Sequence, residues 1–328
     1  MSELDSKAAE TDDTAAPVTL ADIEAAARRI EGAVRRTPSL AAAPLKDSLP
    51  LGDLLLKLEC LQVTGSFKAR GASNTLFSLS DAEVRRGIIT ASGGNHGLAV
   101  AYAGWRAGTR AVIYLPSSTP AAKAEKLKAW GAEVLVEGEV WDDAQEAALK
   151  AAEVEGLTYL HPFADPRIIA GQGTVGIEIL EDDPGLDYVF VAIGGGGLIS
   201  GVATAVKAMK PSITVIGVEP VGAPTLKQSL AAGELVTLPE ITTKAGTLAP
   251  RRSAEINREI IARNVDEIVL VSDEEMLQAA RALWFELGIA AELSGAAALA
   301  AVQRNRYALP EDARVGVLVC GAGTDGIA

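Results

Sequence analysis

One lysine, Lys68, lies in the stretch GSFKARG, residues 65–71. The apolar pattern that follows predicts a helix beginning at Ser66 to Lys68, so Lys68 falls in its first turn. The positive end of the helix dipole disfavours a cation there and lowers the pKa of the amine. A neutral amine can attack an aldehyde and form a Schiff base. The alternative is a solvated surface lysine, which is what an isolated lysine usually is.

A second candidate stretch is ASGGNHG, residues 91–97, which joins a predicted strand to a predicted helix. Its small residues leave backbone N–H groups free to bind an anion at the helix N-terminus. A substrate carboxylate would fit there as well as a phosphate, and Asn95 and His96 add side-chain donors. The alternative is a tight turn in which Asn95 caps the helix.

A third candidate is GGGGLISG, residues 194–201, directly after an apolar strand. Four consecutive glycines let the backbone wrap around an oxyanion, and the helix from Leu198 adds its dipole. A structural turn is the weaker interpretation, because such a run is costly to order. Glu219 follows at a strand end, where a nicotinamide-dependent oxidoreductase places its ribose-binding acid. That rival fingerprint is only partial, because Ser200 occupies its third glycine position.

A fourth stretch, LVCGAGTDG at residues 318–326, runs from a strand into a glycine-rich turn. Cys320 at the strand end could donate a weak hydrogen bond to a ligand, or simply pack as a small buried residue. The sequence has no nucleophilic elbow, phosphate-binding P-loop or paired-cysteine zinc spacing. Its two histidines, His96 and His161, almost exclude a multi-histidine metal site.

The composition is that of an ordinary globular enzyme. The 328 residues carry 30 Lys+Arg against 43 Asp+Glu, a net charge of -13 that disfavours binding to nucleic acid or anionic membranes. We find no apolar run near the ~20 residues that a membrane span needs. The start of the chain is acidic and resembles no targeting signal. Cys60 and Cys320 give no disulfide framework, so we expect a cytoplasmic α/β enzyme.

Strands alternate with helical stretches along most of the chain. Residues 1–18 are predicted to be a disordered tail. A first helix is predicted with Thr19 as its N-cap and Asp22 as an imperfect capping box; Gly32 would interrupt it, although the apolar pattern continues to Val34. Strands are predicted at residues 53–59, 87–92, 110–116, 132–138, 187–193, 214–220 and 315–321. This rhythm indicates two doubly wound parallel-sheet domains with a ligand between them, at the carboxyl ends of the strands.

Taken together and in this order, the four stretches resemble the fold-type II pyridoxal-phosphate enzymes, which have the tryptophan synthase β-like fold. The similarity is strongest to the threonine/serine dehydratase (ammonia-lyase) group, which includes serine racemase, and it runs from about residue 19 to the end. Two further stretches match this family, HPFADPRIIAGQGT at residues 161–174 and AELSGAAAL at residues 291–299. In the latter, Leu293 replaces the family's usual proline.

The resemblance assigns a role to each candidate residue. Lys68 would form the Schiff base with the cofactor, pyridoxal 5'-phosphate, and would also be the catalytic base. The other residues implied to bind the cofactor are Phe67, Asn95, Gly194, Gly195, Gly196, Gly197, Leu198 and Cys320. Those implied to bind the substrate are Ser92, Gly94, Asn95 and His96. Glu219 and the carbonyl of Ala223 would hold a divalent or monovalent cation, although Thr225 stands where relatives have a second acid.

The implied reaction is the β-elimination of water from a 3-hydroxy amino acid, L-threonine or L-serine, giving a 2-oxo acid and ammonia. A lyase for a hydroxyaspartate or an aryl serine is the alternative within the family. Racemisation is less favoured, because Gly93 replaces the serine that serine racemases use as a second acid/base. A neutral Cys320 beside the cofactor's pyridine nitrogen also favours elimination over a long-lived carbanion.

The resemblance also implies how the chain is divided. A large domain would comprise residues 19–78 and 164–328, with a small domain inserted at residues 79–163. We expect no regulatory domain after the last motif, and a homodimer or homotetramer as the assembly. The expected partner is a small amino-acid substrate.

Overall fold

The strands lie in two sheets in a computed structural model, which describes residues 18–42, 46 and 53–327. The strands are β1 (Ser39–Ala41), β2 (Asp53–Lys57), β3 (Ile88–Ala91), β4 (Ala111–Leu115), β5 (Glu133–Val136), β6 (Thr158–Tyr159), β7 (Tyr188–Ala192), β8 (Thr214–Pro220), β9 (Glu267–Val271) and β10 (Arg314–Leu318). The larger sheet has the order β1-β2-β10-β7-β8-β9, and the smaller has the order β5-β4-β3-β6. Every neighbouring pair is parallel except β1 with β2.

Helices connect the strands, as parallel pairing requires. They are α1 (Leu20–Ile30), α2 (Lys68–Phe77), α3 (Asp81–Arg86), α4 (Asn95–Ala107), α5 (Ala121–Ala129), α6 (Trp141–Glu155), α7 (Pro166–Asp182), α8 (Gly197–Met209), α9 (Thr225–Ala232), α10 (Glu255–Asn264), α11 (Asp273–Leu287) and α12 (Leu293–Gln303). The predicted α/β class with parallel sheets is confirmed. Over the ranges described, none of these helices has the length and apolar character needed to cross a bilayer.

The predicted strands appear as β2, β3, β4, β5, β7, β8 and β10, while β1, β6 and β9 are additional. β1 and β6 have three and two residues, too few to show a period in the sequence. The strands of the smaller sheet all fall within residues 79–163. The domain boundaries themselves stay a prediction.

The chain's first described helix begins as predicted. Thr19 and Asp22 form a reciprocal capping box at the start of α1. The helix ends at Ile30, before the end of the apolar pattern, and Gly32 follows with a φ of 70°. The predicted tail lies outside the described residues except for Val18, which is buried in an apolar cluster and therefore is not part of a disordered segment.

The largest apolar cluster surrounds the six-stranded sheet. A buried ionic network lies beside it and fixes the start of α2 against β2 and α7. Arg70 is 1% exposed and pairs with Glu59 at 2.7 Å and Glu178 at 2.6 Å. Lys57, also fully buried, pairs with Glu178 at 2.9 Å and Asp182 at 3.0 Å. Since leaving one such partner unpaired typically costs about 3–5 kcal/mol, the network holds α2 firmly in place.

Candidate active site

Lys68 is the first residue of α2 and is only partly exposed. Its Nζ atom donates a hydrogen bond to the Pro162 carbonyl at 2.7 Å and lies 5.1 Å from the centre of the Phe67 ring. Burial lowers the pKa of the amine to about 8. With this pKa about a tenth of Lys68 is neutral at pH 7, far more than for an ordinary lysine, and a nucleophile or a general base must be neutral.

The loop that precedes Lys68 lies against the loop that follows β10. Ser66 and Gly321 form an isolated antiparallel bridge, and the Ala322 N–H donates to the Gly65 carbonyl at 2.8 Å. This contact brings Cys320 close to Lys68. The Cys320 thiol is buried and donates to the Ser294 carbonyl at 3.4 Å. Burial raises the pKa of this thiol far above its usual range, so it is neutral.

The stretch at residues 92–97 lies where β3 meets α4, as predicted. Gly94 is the N-cap of α4, and no side chain in the described structure caps this helix end. The first backbone N–H groups of α4 are therefore available to an anion. Asn95 Nδ2 donates to Glu292 Oε1 at 2.9 Å, and the Gly94 N–H donates to Ser92 Oγ at 3.3 Å.

The ring of His96 contacts the carbonyl of Leu160, the residue that follows β6. Its Nε2 atom lies 2.9 Å from the Leu160 carbonyl, and its Nδ1 atom has no hydrogen-bond partner among the described residues. Burial lowers the pKa of the ring to about 3, so it is neutral. His96 was predicted to donate to the substrate through its side chain. Its Nε2 atom is engaged by the Leu160 carbonyl, and the role of His96 towards a substrate stays a prediction.

The four glycines connect β7 to α8 and leave little space behind them. Gly196 is the N-cap of α8 with a φ of 95°, and the described residues supply no side-chain cap to this helix. A Cβ at Gly194 would lie 2.7 Å from the Thr247 carbonyl, and a Cβ at Gly195 would overlap the Phe163 ring. The loop thus requires glycine on steric grounds, and the backbone amides at the start of α8 remain free for an anion. Leu198 is buried in the first turn of α8.

Glu292 is the functional candidate that the sequence analysis did not single out, although it lies in the stretch at residues 291–299. It precedes α12, and its Oε1 atom accepts from Asn95 and from Thr247 Oγ1, the latter at 3.2 Å. The Thr247 hydroxyl also contacts Ser294. Burial raises the pKa of the Glu292 carboxyl above its usual range. The sequence signal was an acid immediately before an otherwise apolar helix.

The segment from His161 to Ala164 also contacts Lys68. His161 Nδ1 accepts the N–H groups of Phe163 at 3.2 Å and Ala164 at 2.9 Å, so a neutral ring carries its proton on Nε2. Burial lowers the pKa of His161 to about 4, which keeps the ring neutral. Pro162, the next residue of this segment, supplies the carbonyl that accepts the hydrogen bond from Lys68.

Glu219 occupies a different environment from the residues around Lys68. Its carboxylate accepts the N–H groups of Leu226 at 2.8 Å and Lys227 at 2.9 Å, at the start of α9. It is fully buried, and burial raises its pKa to about 7. A fully buried Glu219 is poorly placed to bind a ribose. Within the described residues, no group of three or more His, Cys, Asp or Glu side chains could hold a metal ion. The cation site at Glu219 and Ala223 stays a prediction.

Comparisons with known proteins identify what this chain is similar to. Residues 30–321 match the family described as pyridoxal-phosphate dependent enzyme. The chain is 42% identical over 285 residues to an L-threonine ammonia-lyase of Thermotoga maritima, covering 87% of this chain and 71% of that protein. It is 38% identical over 307 residues to a serine racemase of Oryza sativa subsp. indica, covering 92% and 90%. Processed threonine deaminase isoform 2 from Solanum lycopersicum superposes with a TM-score of 0.88 at 36% identity, covering 93% of this chain and 84% of that one.

Proposed function

This chain belongs to the pyridoxal-phosphate-dependent enzyme family, and from that premise we propose that it eliminates water from L-threonine and L-serine, releasing a 2-oxo acid and ammonia. The observation that carries the proposal is the partly buried Lys68, whose lowered pKa suits a base, next to a neutral Cys320. The names of the similar threonine ammonia-lyases and threonine deaminase support the substrate class.

The residues present fit the family's cofactor. A phosphate suits the free amides at the start of α8, where the glycines admit close approach. An aldehyde suits the Lys68 amine, and a ring nitrogen suits a weak neutral donor such as Cys320. We propose that Phe67 and Asn95 complete this site. When bound, the cofactor supplies an electron sink that makes the Cα proton of an amino acid removable.

Lys68 is proposed to hold and move that proton. Its neutral amine can accept the Cα proton, because burial disfavours its charged form. The Pro162 carbonyl accepts a hydrogen bond from the same Nζ atom and so restricts where the amine can lie.

The N-terminus of α4 is proposed to bind the substrate carboxylate. Backbone N–H groups there and the helix dipole favour an anion, and Ser92, Gly94 and Asn95 are the residues concerned. His96 contributes its backbone N–H only. Glu292 accepts a hydrogen bond from the Asn95 amide at 2.9 Å, which orients that side chain.

Racemisation is the second candidate function, favoured by the similarity to serine racemases. Gly93 offers no hydroxyl to exchange a proton opposite Lys68, so we propose that elimination dominates. A lyase for another 3-hydroxy amino acid is the remaining alternative. We further propose a cytoplasmic homodimer or homotetramer, with the predicted small inserted domain closing on the substrate.

The test is a substrate survey with two readouts. Release of 2-oxo acid and ammonia is measured with L-threonine, L-serine, a hydroxyaspartate and an aryl serine. D-serine formation from L-serine is followed by chiral chromatography in the same reactions. Pyruvate formation well ahead of D-serine supports the proposal. D-serine forming as fast as pyruvate, or activity confined to hydroxyaspartate or aryl serine, overturns it.

A further inference from the structure

The glycine loop is held from behind by two side chains that no motif marks. The carbonyl of Gly195 accepts a hydrogen bond from Asn257 Nδ2 at 2.8 Å and another from Ser253 Oγ at 2.9 Å. Both donors come from a different part of the chain, the start of α10 and the residues just before it. The orientation of the peptide between Gly195 and Gly196 is thus held through its carbonyl oxygen.

Asn257 makes more contacts than its partner Ser253. It is fully buried, its Nδ2 atom also donates to the Phe163 carbonyl at 3.2 Å, and its Oδ1 atom accepts from Ser200 Oγ at 3.3 Å. A Cβ at Gly196 would lie 3.0 Å from Asn257 Cβ, so the side chain also packs against the loop. One amide therefore joins the glycine loop, the segment beside Lys68 and the second turn of α8.

The two hydrogen bonds to the Gly195 carbonyl also set the direction of the next backbone N–H group. In a trans peptide the C=O and N–H groups point in opposite directions. Holding the Gly195 oxygen towards α10 therefore turns the Gly196 N–H away from α10, at the helix end that lacks a side-chain cap within the described chain. A run of glycines would otherwise sample many peptide orientations, and fixing one in advance lowers the entropy cost of binding.

We propose that Asn257 is a positioning residue, which orients the Gly195–Gly196 peptide so that its N–H binds the phosphate of the cofactor. The inference rests on the proposed phosphate site at the glycine loop. Ser253 supports the same carbonyl with a single hydrogen bond and has a smaller effect. Neither side chain needs to touch the phosphate.

The experiment compares two ligands that differ only in the phosphate. The full-length protein is freed of cofactor and titrated with pyridoxal 5'-phosphate and with pyridoxal, using absorbance and tryptophan fluorescence. Asn257→Ala is expected to weaken binding of pyridoxal 5'-phosphate roughly tenfold, the size of one or two lost hydrogen bonds. Its affinity for pyridoxal should stay that of the parent. Ser253→Ala should show the same selective loss at a smaller magnitude.

The two ligands separate a positioning role from a structural one. Equal losses for both ligands, or no loss for either, overturn the inference about Asn257 while the phosphate site stands. A parent that binds pyridoxal as tightly as pyridoxal 5'-phosphate overturns the phosphate site itself. If Asn257→Ala does not fold, Ser253→Ala gives the same selectivity test, and inorganic phosphate serves as a competing probe of the site.

Discussion

The chain contains two strand–glycine–helix junctions of similar design, and their surroundings differ. At the start of α8, a Cβ on any of Gly194 to Gly197 would lie 2.8 Å or less from neighbouring atoms. At the start of α4 only one position is open: a Cβ on Gly94 would meet no described atom within 4 Å, whereas one on Gly93 would lie 3.0 Å from Thr119 Cγ2 and one on Gly97 would overlap the Ser92 carbonyl. Both helix ends lack a side-chain cap among the residues described. We expect close packing at all four glycines to suit a ligand that stays bound, and the open space at Gly94 to suit one that enters and leaves with each turnover.

The side chains behind the two junctions differ as well. Asn257 and Ser253 grip the backbone of the α8 junction directly. At the α4 junction, Asn95 is held by Glu292 through a side-chain contact, and its neighbour His96 is turned to the Leu160 carbonyl. We expect a backbone held in one orientation to favour tight binding, because less entropy is lost when the ligand binds. A side chain held by another side chain can adjust when a substrate arrives.

The largest effect is expected from Lys68→Ala, which removes the proposed chemistry while leaving both junctions intact. Elimination should fall by roughly 10²–10⁴-fold or more, because the general base is lost. The phosphate site should still retain the cofactor, but without a covalent link that borohydride can trap. Ammonia release and mass spectrometry of the reduced protein measure both. Lys126→Ala, at an exposed position on α5, is the control. Near-normal ammonia release by Lys68→Ala would refute the assignment.

The next effect in size tests the packed junction against the open one. Gly196→Val forces a side chain into a backbone with a φ of 95° and to within 2.8 Å of Leu226 Cδ1. Left-handed strain of about 1–2 kcal/mol and overpacking of about 1–3 kcal/mol should weaken cofactor binding at least tenfold. Extended dialysis followed by cofactor quantitation measures the loss.

Gly94→Ala is the matched variant at the open junction. It should keep the cofactor as well as the parent does. Its expected effect is a raised KM for L-threonine, because the new methyl group borders the proposed carboxylate site. Equal cofactor retention by Gly196→Val and the parent would contradict the phosphate site. Cofactor loss from Gly94→Ala would remove the distinction between the junctions.

A pH series tests whether the Lys68 amine is activated by burial. The pKa of Lys68 is lowered to about 8 by burial, so the neutral amine is a minor form below that pH and the dominant form above it. The rate at which the cofactor-free protein acquires a yellow covalent adduct should rise about tenfold per pH unit and level off above about 8. A rate still rising steadily towards pH 10, as for an exposed lysine, would contradict a buried, activated amine.

The smallest expected effect concerns racemisation at Gly93, a packed position of the α4 junction. Gly93→Ser restores a hydroxyl, but a Cβ there would lie 3.0 Å from Thr119 Cγ2 and 3.2 Å from Leu115 Cδ2. The new side chain is therefore crowded, and we expect only a small gain of D-serine from L-serine. Gly93→Ala, which adds the crowding without the hydroxyl, is the control. A D-serine rate equal to the pyruvate rate in the parent would show that another group acts as the second base.

Several features followed from the sequence alone because they depend on neighbouring residues. The strands alternate with helices because apolar residues repeat with the local period of each element. The capping box joins Thr19 and Asp22, which are only three positions apart in the sequence. Lys68, the loop at residues 92–97 and the glycine run were each identified within a short stretch, since a strand end followed by small residues and a helix is a local pattern.

Other features were decided only by the tertiary structure, because they join residues far apart in the chain. Asn95 meets Glu292 across 197 residues, and Asn257 grips Gly195 across 62. Whether His96 faces a substrate or the Leu160 carbonyl depends on how α4 packs against the strand beside it, which its own sequence does not encode. Local periodicity indicates which segments form helices and strands, although α1 ends at Ile30, before its apolar pattern does. Contacts between elements depend on strand order and helix packing, which arise only when the whole chain buries its apolar surface.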